Sequence, residues 1–146
     1  MKAEEAAVDL ARELLARGQT VRYRARGGSM WPAILDGDRL TLAPISGPVR
    51  LGDVMFLPTD DFGLAHRVVL RIGRRCMLKG DARVRPDGMH SAAAFTARVV
   101  HIERGGRAVP VRTGWAPAVS GWLQSAARMA SRFSRSAAAR WPRRAP

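Results

Sequence analysis

Apolar positions near the start of the chain fall at helical spacing. Ala7, Leu10, Ala11, Leu14 and Leu15 share one face of a predicted helix over residues 3–17, with acids early, arginines late and Gly18 as its stop. The period then shortens to two. Val21–Ala25, Arg39–Ala43, Val54–Leu57, Leu64–Ile72, Cys76–Lys79, Phe95–Ile102 and Ala108–Val111 are predicted strands. Between them lie turn signals: Gly37-Asp38, Gly52-Asp53, Gly73 and Gly105-Gly106. Residues 80–91 form a long polar loop on this reading. Many short strands separated by turn residues predict a mainly β domain, a coiled β-sheet or small barrel, behind an N-terminal helix.

From Trp115 the character changes again. Trp122, Ala126, Met129, Phe133 and Ala137 share one helical face, while Arg128, Arg132 and Arg135 share the other. The expected organisation is therefore an N-terminal helix at 1–18, a β domain at 19–112 and a basic amphipathic tail at 113–146. The tail contains no acid, and a basic helix with aromatic anchors suits an anionic membrane surface. Nucleic acid is the less favoured partner, and packing on the domain is the plain alternative.

Charge sharpens this picture only in part. The formal net charge is +13, which suggests an anionic partner. Nearly all the cations are arginine, Lys2 and Lys79 being the only lysines, and much of the charge sits towards the C-terminus. A single cysteine, Cys76, excludes an internal disulfide and cysteine zinc sites. Acids at Glu4, Glu5, Asp9 and Glu13 interrupt any secretory h-region, and no apolar run reaches the ~20 residues of a membrane span. The expected location is cytoplasmic, or peripheral at the cytoplasmic membrane.

Candidate chemistry centres on Gly27-Gly28-Ser29-Met30-Trp31-Pro32, a stiff turn carrying a hydroxyl between two strands. Alone it is an ordinary loop. In order along the chain there follow Gly37-Asp38, Gly52-Asp53, Ala65-His66-Arg67-Val68-Val69, Lys79-Gly80-Asp81 and Pro86-Asp87. Taken together these pieces resemble the signal peptidase I family of serine peptidases and the related LexA-type self-cleaving repressors, over roughly residues 18–110. The histidine before Arg67-Val68-Val69 is similar to the archaeal and endoplasmic-reticulum type, where bacterial enzymes carry a lysine base. The resemblance implies the peptidase fold of that family, with neither metal nor organic cofactor. It also implies cleavage of an extended peptide after small residues.

On this reading Ser29 is the nucleophile, His66 the general base, and Asp81 or Asp87 the acid that orients it. A serine hydroxyl needs a base to remove its proton, imidazole does so near neutral pH, and a carboxylate fixes its tautomer. Rival bases are His90, His101 and Lys79; Met30 and Trp31 are expected to pack or to line a cleft. Many bacterial signal peptidases carry a serine donor two residues before the nucleophile. Here that position is Gly27, so an oxyanion would rest on backbone groups such as the Ser29 N–H. The primary expectation is a serine endopeptidase acting on a peptide or protein. The alternatives are a catalytically idle binding module of the same fold and a membrane-surface or nucleic-acid adaptor.

Overall fold

The computed structural model describes residues 2–59, 63–120, 122–123 and 126–127. Helix α1 spans Lys2–Ala16 and buries Val8, Ala11 and Leu15; of the predicted face only Ala11 and Leu15 are buried, while Ala7 and Leu10 are exposed and the buried stripe is turned towards Val8. The chain then enters a curled antiparallel sheet, a half-barrel. Its strands are β1 (Val21–Arg24), β2 (Arg39–Ala43), β3 (Val54–Pro58), β4 (Gly63–Ile72), β5 (Arg75–Lys79), β6 (Gly88–Ser91), β7 (Ala97–Arg104) and β8 (Arg107–Val109). The spatial order is β1-β2-β7-β3-β4-β5-β6, with β8 paired on β7. Strand β7 thus inserts between β2 and β3.

Two bulges help the sheet to curl. The β2/β7 register slips between Thr41 and Leu42, and the β4/β5 register slips between Val68 and Leu70. An extra residue on one strand bends it and increases local twist. Curling gives the sheet two apolar faces. Leu15, Leu40, Leu42, Phe56, Val99 and Ile102 pack on one, and Met55, Val68, Cys76, Leu78 and Phe95 on the other. Met55 and Phe56 are neighbours in sequence and point to opposite sides, as strand geometry requires. Burying the Phe56 ring is worth about 1.5–3 kcal/mol, and Tyr23 meets it edge-on at 5.1 Å between centroids.

Both Gly-Asp turns are built alike. Asp38 accepts from the backbone N–H of Leu35, and Asp53 from that of Arg50, each at 2.8 Å and three residues back. Each carboxylate also holds an arginine of β7: Arg104 bonds Asp38 through two nitrogens at 2.9 and 2.7 Å, and Arg98 lies 3.1 Å from Asp53. Strand β7 therefore clamps the turns that lead into both of its path neighbours, β2 and β3. Burial opposes ionisation of Asp38, but the Arg104 hydrogen bond, the Leu35 N–H and the Arg104 charge outweigh it and hold the carboxyl below its ordinary range.

Two sequence expectations change. The polar loop at 80–91 contains β6, which pairs with β5 from Leu78↔Gly88 to Arg75↔Ser91. Its Gly-Met-His-Ser sequence carries no apolar alternation, so the strand exists because β5 offers an edge to pair with. Phe95 and Thr96 precede β7 instead of opening it; Ala92–Ala94 form a 3₁₀ turn and Phe95 plugs the second apolar face. The basic amphipathic tail lies largely outside the described residues, although 115–120 are helical. No described helix is long and apolar enough to cross a membrane.

Candidate active site

Strand β1 delivers the chain to the Ser29 turn. Gly27 has φ +77, a conformation costly for any residue with a Cβ, and its N–H is tied to the Asp36 carboxylate at 2.8 Å. After Ser29 the chain makes a helical turn, with Ile34 N–H bonded to the Met30 carbonyl at 3.0 Å. Met30 and Ile34 anchor that turn in the core, while Trp31 stays exposed. Ser29 is held at the start of a turn pinned on both sides, with its hydroxyl directed at β4.

On β4, three consecutive residues are buried: His66, Arg67 and Val68. His66 is fully enclosed, its Nε2 lying 2.8 Å from Ser29 Oγ and its Nδ1 bonded to Asp87 Oδ2. The carboxylate can only accept, so Nδ1 carries the proton, and the Nε2 lone pair faces the serine hydroxyl. The three side chains form one continuous hydrogen-bonded line. Among the described residues, the backbone N–H of Ser29 has no acceptor.

The two candidate aspartates separate here. Asp87, at the mouth of β6, is the one bonded to His66. Asp81 is bound by Arg67 in a two-pronged pair, Nε to Oδ1 and Nη2 to Oδ2, both at 2.8 Å. The Arg67 guanidinium also donates to the carbonyls of Gly52 and Arg112. Asp81 is therefore a structural partner of the residue beside His66, not its orienting acid. Of the rival bases, His101 is exposed on β7 and His90 lies on β6 opposite Cys76. Lys79 is buried, donates to the Gly80 carbonyl at 3.2 Å and sits 5.7 Å from the centre of the Trp122 ring.

The Lys79-Gly80-Asp81-Ala82 segment closes the site from behind. Ala82 N–H donates to the Ser29 carbonyl at 2.8 Å, and Asp81 N–H points to the Met30 sulfur at 3.4 Å. Gly80 permits this approach. A Cβ there would lie 2.6 Å from the Ser29 carbonyl oxygen and 3.0 Å from His66 Nε2.

No family model matches the chain, and no curated protein matches it. A cleft of about 830 Å³ opens beside Ser29, walled by β1, by Gly63-Leu64-Ala65 of β4, and by α1 through Leu10 and Leu14. Among the described residues, β1 is the last strand of the sheet and one of its edges carries no ladder. Among the same residues, 63–66 of β4 pair with β3 alone, because the β4/β5 ladder begins at Arg67. Two strand edges thus face the cleft with backbone groups to offer. Among the described residues, no group of three or more His, Cys, Asp or Glu side chains is arranged to hold a metal ion.

Sequence reasoning gave no role to Arg67 or Gly80. A charged residue between His66 and Val68-Val69, on a strand flanked by apolar ones, was the available signal that Arg67 needs a buried partner. Gly80 stood out only as part of the Lys79-Gly80-Asp81 piece of the resemblance; its spatial constraint comes from Ser29, about fifty residues away.

Proposed function

We propose that the protein is a serine endopeptidase with a fold and mechanism of the signal peptidase type. The observation that carries this reading is the unbroken Ser29–His66–Asp87 line at the end of a cleft bounded by two free strand edges. An extended peptide lies in the cleft as an added strand, its backbone bonded to β1 or to residues 63–65. His66 Nε2 takes the Ser29 proton as Oγ attacks the scissile carbonyl carbon. Asp87 stabilises the imidazolium that results. The Ser29 N–H meets the oxyanion. The leaving amine takes the proton from His66, and water, activated by the same imidazole, releases the acyl group from Ser29. The small side chains before the cut remain an expectation from the family resemblance.

The test is incubation of the purified protein with a diverse peptide mixture, followed by mass spectrometry of new termini, beside the Ser29→Ala and His66→Ala variants. New termini made by the wild type and lost in both variants are the expected result. Absence of new termini from folded wild-type protein, or cleavage that survives Ser29→Ala, rejects the reading.

Exposed Trp115, Trp122 and Leu123 support a second, compatible role, contact with an anionic lipid surface. Liposome co-sedimentation of the chain with and without 115–146 decides it; equal sedimentation rejects that role.

A further inference from the structure

The first wall of the cleft carries an unusual charge pattern. Exposure alternates without a break from Val21 to Arg26: Arg22, Arg24 and Arg26 are exposed, while Val21, Tyr23 and Ala25 turn inward. All three arginines line the cleft, as does Arg83 from the segment behind Ser29. No carboxylate is among the described residues that line it. Among the described residues, the side chains of Arg22 and Arg24 have neither an ion pair nor a hydrogen bond.

The sheet carries a local conflict to keep them there. Arg24 stands directly opposite Arg39 in the β1/β2 ladder. Like charges at opposed positions are destabilising, and Glu103, the ion-pair partner of Arg39 at 3.4 Å, lies on the side of Arg39 away from β1. Strand pairing gives Arg24 no counter-ion, and its guanidinium lies beside the Gly37 turn. A peptide added along the free edge of β1 places every second side chain on the face of Arg22 and Arg24, at cross-strand distance. The intervening side chains face Tyr23, Ala25 and the apolar floor.

We propose that this cleft selects acidic peptides, with Asp or Glu at the alternate positions that share a face with Arg22 and Arg24. The inference rests on the peptidase reading for its consequence, and on the charge of the β1 wall for its chemistry. It names a substrate class: extended segments alternating small or apolar residues with acids.

The test uses three synthetic peptide sets built on a common Ala-Xaa-Ala centre, with glutamate, glutamine or lysine at alternate flanking positions. Cleavage rate and binding anisotropy are measured for the wild type and for a double variant, Arg22→Glu with Arg24→Glu. Both positions are exposed and the second removes the clash with Arg39, so the variant is expected to fold, as circular dichroism will verify. The wild type should cut the glutamate set about tenfold faster than the glutamine set, the scale of two exposed ion pairs acting together. The lysine set should be slowest, and the variant should invert the glutamate and lysine ranking. The preference should shrink at about 0.5 M salt. Equal rates for glutamate and glutamine sets, or an unchanged ranking in the variant, overturn the inference and leave the peptidase reading intact. If no set is cut, the peptidase reading falls, and binding decides: tighter glutamate peptides with inversion in the variant sustain acid selection, whereas equal or absent binding overturns it.

Discussion

Gly80→Ala is the sharpest probe of the site. The backbone at Gly80 is not in the left-handed region, so alanine is acceptable there on conformational grounds. Space is the only obstacle. The new Cβ would stand 2.6 Å from the Ser29 carbonyl oxygen, where ordinary contact begins at 3.4 Å. Relief requires the Ser29 turn and the Gly80 segment to part by about 0.8 Å, and a misplacement near 1 Å costs on the order of 100-fold in rate. The same displacement loosens the Ser29–His66 hydrogen bond, because His66 Nε2 lies 3.0 Å from that Cβ. Overpacking of this kind destabilises by about 1–3 kcal/mol, so the protein should still be folded at room temperature. The assay is kcat/KM on a peptide cut by the wild type, with the rate of Ser29 labelling by a fluorophosphonate as a second readout. Thermal unfolding is followed in parallel. Gly73→Ala is the control. Its φ of +56 strains any side chain but its surroundings are open, so it should lose about 1–2 kcal/mol of stability and keep its activity. Gly80→Ala retaining activity within about threefold of wild type would refute the argument that this close approach sets the Ser29–His66 geometry.

The two aspartates should separate by phenotype. Asp87→Asn is expected to lower kcat by on the order of 10³–10⁴ with little change in Tm, because the amide no longer fixes the productive imidazole tautomer. Asp81→Asn leaves the Arg67 charge buried without its counter-ion and should cost about 3–5 kcal/mol in chemical denaturation; equal losses of activity at equal stability in both variants would contradict the division. Asp38 links stability to acid. Its folded pKa lies below the unfolded value of 3.8, so its contribution is full above that value and disappears as pH falls through the folded one. Asp38→Asn should therefore flatten the loss of stability in denaturation curves at acid pH, and an unchanged slope would exclude it as a source. The Cys76 thiol is fully buried and pushed up by that burial, so it should resist an aromatic disulfide reagent until the protein unfolds; rapid native-state labelling would show the second apolar face to be open.

Much of this architecture was legible because strand periodicity survives wherever one face is buried. Arg39–Ala43 matches β2 residue for residue, and the hydrophobic runs around Met55-Phe56 and Val68-Val69 marked β3 and β4. What escaped was set by neighbours. β6 has no pattern of its own, and the order β2-β7-β3 depends on pairing partners far apart in sequence. At the site, the family resemblance pointed to the serine, the histidine and two aspartates, yet could not say which carboxylate reached the imidazole. Asp81 and Asp87 are six residues apart on one polar stretch. Only the turn between β5 and β6 decides that one meets Arg67 and the other His66.

The insertion of β7 also sets a clock on the candidate chemistry. Among the described residues, no strand ladder other than those of 97–104 joins the β1–β2 pair to the β3–β6 meander. Ser29 follows β1 on the first piece, and His66 and Asp87 belong to the second. In a chain not yet extended to β7, Ser29 and His66 would sit on units that no described ladder joins, since Arg98 and Arg104 have yet to arrive to lock Asp53 and Asp38. Contacts across such long loops form late because closure entropy must be met first. On the proposed peptidase reading, the site is therefore expected to assemble only once β7 has been made.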